Sequence, residues 1–417
     1  MKVRYSVFAA ALLCAAPAFA AGFDPEAATQ AYLGTLKGAA RAKSDAYFEG
    51  GYWLPLWATL IGVLVDLALL RAQFSVRFRD WAERKAKRPF LQAMLFAVPY
   101  FLAGSLLTLP WTIYANFIRE RQYDLMSQSF IAWLGEQLIG LGIGLVLVPF
   151  VIACALTGLR RAPKTWWLWG TGFSALFVAF FALIAPVFIA PLFNSYTELS
   201  PGPVRDRIVA MARAYQVPAA HIYVFDQSKQ TKRVSANVSG LGPTIRISLN
   251  DNLLNRTSLP ETASVMGHEL GHYVLGHIFK LIPAFSIVFG IAFWLASIGV
   301  PRMVRRWGQA WGLRGVDDLA AVPVYTIVIS VAMLLMTPIT NIIVRTQESQ
   351  ADAFGLEAAR EPDGFAAAAL QLAEYRKIEP SPVEEFLLYD HPSGATRIRM
   401  AMAWKLHHLA EVEAKAK

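Results

Sequence analysis

The chain of 417 residues is 55% hydrophobic and only 17% charged, with a mean hydropathy of +0.40. Soluble domains carry about 45–50% apolar and about 25% charged residues, so a single soluble core is excluded. Two cysteines, Cys14 and Cys154, exclude a disulfide framework and a thiolate metal site, and the net charge of +9 lies in basic clusters beside apolar runs, with no nucleic-acid motif, which argues against a nucleic-acid partner.

The first predicted element is a signal peptide over residues 1–20. Lys2 and Arg4 form its basic start, Val7 to Ala16 its apolar stretch, and Ala18-Phe19-Ala20 a cleavage site. An uncleaved anchor is the alternative. A membrane domain with four spans follows over 21–193, the spans lying near 53–73, 90–113, 131–158 and 165–192. Each is long enough to cross a hydrocarbon core of about 30 Å. Residues 194–277 then read as water-soluble, 278–343 as a hairpin of two further spans, and 344–417 as a second soluble part. A chain that crosses twice returns to the side it left, so the two soluble parts share one face and can form one domain.

Within the first soluble part, Val204 to Tyr215 reads as a helix, and His221 to Phe225 and Thr244 to Leu249 as short strands. Ser258 followed by Pro260 and Glu261 signals a helix start. That helix carries His268-Glu269-Leu270-Gly271-His272. Residues four apart lie on one helical face, so both imidazoles can reach one ion. Glu269 lies beside the ion and suits a general base acting on a water that zinc activates. The alternative is a helix with two incidental histidines. A catalytic zinc needs a third protein ligand and an open position. Glu348, on the helical continuation of the last span, is the candidate, and Asp352, four residues later, can fix the tautomer of a ligating histidine. His277 is a poorer third ligand: five residues past His272 on a continuous helix, it points about 140° round. It reads as an interfacial or packing histidine. Both His272 and Glu348 lie within roughly 10 Å of a predicted span end, which sets the site at the membrane surface.

These residues resemble a known family. His268 to His272 with Glu348 and Ala351-Asp352-Ala353-Phe354 is similar to the zinc-dependent type I CAAX prenyl proteases, a membrane-integrated branch of the glutamate-liganded zincins. Leu109 to Tyr114 with Glu120 to Tyr123, and Asp390-His391-Pro392 with Arg397-Ile398, match further segments of that family. The resemblance covers roughly 90–405 and looks like that of a bacterial member. It implies one zinc ion per chain held by His268, His272 and Glu348, Glu269 as general base, and Asp352 behind a ligand. It implies His391 as the group that stabilises the oxyanion. It also implies substrate contacts at Ser235, Ala236 and Asn237, where the family has an edge strand, and at Arg397. Thr244 to Leu249 falls where the family has a strand beside the zinc.

The expected fold is mostly α: a polytopic membrane protein of about six spans plus a signal peptide, with a zincin-like α+β metalloprotease domain split around the two-span hairpin. The expected function is a zinc endopeptidase of membrane-associated or misfolded polypeptides. Its partners are peptide or protein substrates and the lipid bilayer. Arg77 to Arg88, Arg160 to Lys164 and Arg302 to Arg306 follow the first, third and fifth spans. Lysine and arginine mark the cytoplasmic side, which places the zinc domain on the periplasmic face of a bacterial inner membrane. Processing of prenylated C-terminal CAAX peptides is the alternative for a cytosolic face. A zinc-binding membrane scaffold or transporter without hydrolysis is the alternative outside enzymes.

Overall fold

The computed structural model describes residues 22–240 and 245–416. The predicted signal peptide at 1–20 and the start of the predicted strand at Thr244 lie outside the described residues.

Among the described residues, five helical stretches are long and apolar enough to cross a membrane: Gly38–Arg71, Pro89–Gln122, Phe130–Arg161, Trp166–Leu192 and His277–Trp307. A sixth is broken, with Leu319–Leu335 and Thr337–Ala359 meeting at a bend of 53°. These agree with the six predicted spans, and the last two form the expected hairpin. Leu106, Ile131 and Leu176 are each at least two-thirds exposed, as side chains facing lipid must be. The inner sides pack around Leu70, Phe96, Ala153, Ala296 and Val324. One polar cluster lies in this apolar bundle: Tyr100 Oη donates to Asp66 Oδ1 at 2.8 Å and lies 3.1 Å from Thr326 Oγ1, joining the first, second and sixth spans. The fourth span ends in a π-helical turn, Ala185–Ile189, that contains Pro186. A proline there removes a ladder N–H and loosens the helix.

The three loops after the first, third and fifth spans meet on one face. Arg79 pairs with Asp318 at 2.7 Å, Arg314 with Glu83 at 2.8 Å, and Arg160 donates to the Asp317 carbonyl.

The opposite face carries a four-stranded sheet: β1 (Tyr196–Glu198), β2 (Ile222–Phe225), β3 (Ala236–Ser239) and β4 (Arg246–Asn250), in spatial order β1-β2-β4-β3. β2 and β4 run parallel, and β1 and β3 pair antiparallel to their neighbours. Ile222, Ile247 and Leu249 pack with Met266 and Leu270 of the helix Leu259–Val274, so the sheet rests on the helix that bears the HExxH sequence. The strand read at Thr244 to Leu249 is β4, which lies one place in. The edge strand beside it is β3, and β1 forms the other edge.

The two N-terminal helices, Pro25–Leu33 and Gly38–Gly51, pack on the end of the chain. Leu33 shares a core with Phe365, Ile398 and Met402, Tyr32 Oη donates to Asp363 at 2.9 Å, and Arg41 pairs with Glu379 at 2.6 Å.

Candidate active site

The helix Leu259–Val274 starts where its cap predicts. The Ser258 N–H donates to Glu261 Oε2 at 2.6 Å, the Glu261 N–H reaches Ser258 Oγ at 3.5 Å, and Pro260 occupies the first turn. This capping box holds the end ten residues before His268. One turn apart, His268 and His272 bring their Nε2 atoms to 3.0 Å.

Glu348 reaches the same point from the helix Thr337–Ala359. The two helices meet along small residues. A Cβ on Gly267 would stand 2.9 Å from the Gly355 carbonyl, and one on Gly271 would stand 3.2 Å from Ala351 Cα. Only glycine allows this approach, and it draws Glu348 to 3.2 Å from His268 Nε2 and 3.5 Å from His272 Nε2. Among the described residues, these three side chains are the group able to hold a metal ion.

The donor set fits a tetrahedral ion. Bonds of about 2.0–2.1 Å imply donor separations near ~3.3 Å, and the three observed separations run from 3.0 to 3.5 Å. Glu348 Oε2 is buried and accepts no hydrogen bond, an orphan that a cation would satisfy.

Both histidines are held in the tautomer that metal binding requires. His268 Nδ1 lies 2.8 Å from Asp352 Oδ1. A carboxylate only accepts, so Nδ1 carries a proton, and it is Nε2 that has a lone pair to offer once the ring is neutral. Asp352 is fixed in turn by Arg397, whose Nε donates to Oδ2 at 2.9 Å. His272 is set by His277, with the two Nδ1 atoms 2.9 Å apart. Lys280 Nζ donates to Gln350 Oε1 at 3.4 Å, and the same oxygen lies 3.2 Å from His277 Nε2. His277 Nε2 therefore donates to Gln350, His277 Nδ1 accepts from His272 Nδ1, and His272 Nε2 is left free. Burial opposes protonation of His268, but the carboxylates of Asp352 and Glu348 beside its two ring nitrogens outweigh it and raise its pKa to about 9. Burial raises the Glu269 carboxyl above its usual range.

Beside these groups lies a cleft of about 250 Å³ lined by Ser235, Ala236, His268, Glu269, His391 and Arg397, among others. The first two belong to the open edge at β3. Asn237 is the next residue, paired in register with Ser248 of β4, and it does not line the cleft. His391 approaches Glu348 Oε2 through Nε2 at 3.3 Å, and its Nδ1 lies 2.8 Å from Asp390 Oδ1.

The family model of peptidase family M48 matches residues 199–405, and that of the CAAX prenyl protease N-terminal region, described as five membrane helices, matches 28–195. The chain belongs to peptidase family M48. The M48 chain is thus a membrane-embedded metalloprotease that acts on peptide substrates. Among its relatives, the metalloprotease YhfN of Bacillus subtilis is 29% identical over 349 residues, covering 82% of this chain and 81% of that one. CAAX prenyl protease 1 of Saccharomyces cerevisiae is 26% identical over 349 residues, covering 80% and 75%. The crystal structure of S. mikatae Ste24p matches with a TM-score of 0.74 at 20% identity, covering 91% of this chain and 94% of that one, and establishes the fold.

Three features of this M48 site were missed in the sequence. The 140° offset for His277 assumes an unbroken helix. The helix instead ends at Val274, and Gly276, at φ 63°, turns the chain so that His277 starts the next one. His277 is buried, and it contacts His272. Arg397, expected at the substrate, lines the cleft but spends its Nε on Asp352. The glycine seam had a signal: Gly267 and Gly271, and Ala351, Gly355 and Ala359, recur every four residues, a spacing that puts small residues on one helical face.

Proposed function

We propose that the M48 chain is a zinc endopeptidase whose ion is held by His268, His272 and Glu348. The observation that carries this reading is the tetrahedral spacing of the three donors beside Glu269 in a cleft with an open strand edge. Zinc there would polarise the scissile carbonyl and lower the pKa of a water to near neutrality. Glu269, its carboxyl already raised by burial, takes the proton and passes it to the leaving amine. Asp352 and His277 keep the Nε2 lone pairs of their histidines aimed at the ion. His391 donates to the oxyanion from the rim of the cleft. An extended peptide adds to β3 at Ser235 and Ala236, with Asn237 next to them, by backbone hydrogen bonds. Arg397 bounds the cleft and acts through Asp352.

The substrates of this reading are membrane-associated or misfolded polypeptides, met on the periplasmic face of a bacterial inner membrane. Charge supports the orientation. Residues 71–88, 159–165 and 301–318, on the face away from the cleft, hold fourteen Lys and Arg against four Asp and Glu, whereas the short loop 114–129 on the cleft side holds two of each. The names of the plant, yeast and human relatives favour a second reading, removal of C-terminal residues from prenylated proteins.

Glu269→Gln tests the mechanism: the variant keeps one zinc per chain and loses about 10²–10⁴-fold in cleavage rate. Equal cleavage by both proteins sinks it. A reporter fused after Lys417 separates the two substrate readings: activity only outside the cytoplasm supports the first, and activity only inside it supports the second.

A further inference from the structure

The cleft holds a cation that the proposed chemistry does not use. Arg376 lies between the helices Pro362–Leu372 and Pro382–Leu388 and lines the same cleft as His268 and Glu269. Its backbone is anchored, since Ser44 Oγ donates to its carbonyl at 3.2 Å. Its guanidinium makes no ion pair and no hydrogen bond among the described residues. Every other described arginine that is buried or half-buried holds a carboxylate or a carbonyl; Arg79, Arg233, Arg256, Arg345 and Arg397 are examples.

Arg376 is half-buried, and its guanidinium opens into the cleft with its donors uncommitted to any protein acceptor, free to meet a ligand there. Burial, and then the charge of Arg397, press the Arg376 guanidinium below its usual pKa range. The cleft wall formed by Phe365, Ala368, Ala369 and Leu372 is apolar, and the carboxylates of Asp390 and Glu348 act on the guanidinium through space without bonding to it. Arg397 cannot share an anion on equal terms, since Asp352 already occupies it. What completes this wall is an acceptor brought by the substrate, and a carboxylate matches the planar fork of a guanidinium in two hydrogen bonds.

We propose that Arg376 is a specificity-determining residue that binds a carboxylate of the peptide substrate, on a side chain or at the chain terminus, close to the scissile bond. The proposal rests on the reading of this cleft as the active site. It gives that site a substrate class: peptides with an anionic group near the cleavage point, flanked by small apolar residues that fit against Ala368, Ala369 and Leu372.

The test uses the full-length zinc-loaded enzyme in detergent and a peptide series in which Asp replaces Asn at each position around the cleaved bond. Each peptide is made with a free and with an amidated C-terminus. The wild-type enzyme prefers the carboxylate at one position by about 10- to 100-fold in kcat/KM, the range expected of a charged hydrogen bond. In Arg376→Gln the Asp-to-Asn ratio falls to about one, with the change in KM. Arg376→Lys keeps part of the ratio, and Arg376→Glu turns it towards Lys-bearing peptides. A preference that follows the free C-terminus identifies a chain terminus as the ligand, and one that follows an internal Asp identifies a side chain. Zinc-dependent cleavage with no carboxylate preference, or a ratio that survives in Arg376→Gln, overturns the proposal and leaves the endopeptidase reading standing. Absence of zinc-dependent cleavage of every peptide overturns both.

Discussion

Gly355 lies against His268 so closely that a Cβ on it would stand 2.8 Å from the His268 backbone nitrogen. The obstacle is backbone, which cannot rotate aside. In Gly355→Ala the helix of Glu348 must therefore move away from the helix of the two histidines. Overpacking of this kind costs about 1–3 kcal/mol, and the shift also spreads the three donors. The variant is expected to unfold at a lower temperature and to lose zinc to a weaker chelator than wild type does. An unchanged melting temperature together with unchanged zinc retention refutes the seam as the device that sets the ligand spacing.

His277 holds His272 through its ring nitrogen, so His277→Ala frees the His272 imidazole to turn and to change tautomer. Loss of such an outer partner lowers metal affinity about 10- to 100-fold. Chelator competition on the purified protein measures it, and full occupancy at wild-type chelator concentrations would show that His277 only fills space.

In the proposed site, a zinc ion would compete with a proton at His268. A group raised to about 9 keeps its proton throughout the neutral range, so each bound ion must displace it. Affinity is expected to rise by about tenfold per pH unit from this proton below that value, then to level off above it. Asp352→Asn removes the carboxylate that raises the imidazole, and flattens the slope. A pH-independent zinc affinity in wild type contradicts the assignment of Nε2 as the competing atom.

Within the bundle, Asp66 accepts from Tyr100 across two spans. Asp66→Leu leaves the Tyr100 hydroxyl without that acceptor and is expected to cost about 1–3 kcal/mol, whereas Asp66→Asn keeps an acceptor and costs less. Thermal unfolding in detergent ranks the two, and equal loss in both variants argues against the hydrogen bond as the source.

The sequence made the spans legible because apolar length alone decides them. The HExxH helix was legible because its cap and its four-residue spacing are local. Glu348 was found by a different route: counting crossings showed that residues after the hairpin return to the face of the histidines. What escaped reading depends on contacts without a local signature. Pro25–Leu33 and Gly38–Gly51 are tied down by pairs such as Tyr32 with Asp363, more than three hundred residues apart. The place of His277 turns on one left-handed glycine, Gly276, where a helical period cannot be carried forward. The partner of Arg397 is a buried carboxylate on another helix, and a motif match names the residue but not what it touches.

The break between Leu335 and Thr337 has a mechanical consequence. His272 stands just before one membrane-crossing rod, and Glu348 stands past the bend of the next, so the donors hang from two separate levers anchored in lipid. A change in the tilt of either rod would therefore strain the contact between the two helices. Hydrocarbon thickness, which influences tilt, loads both rods, and the glycine seam is the clamp that keeps the three side chains together under that load.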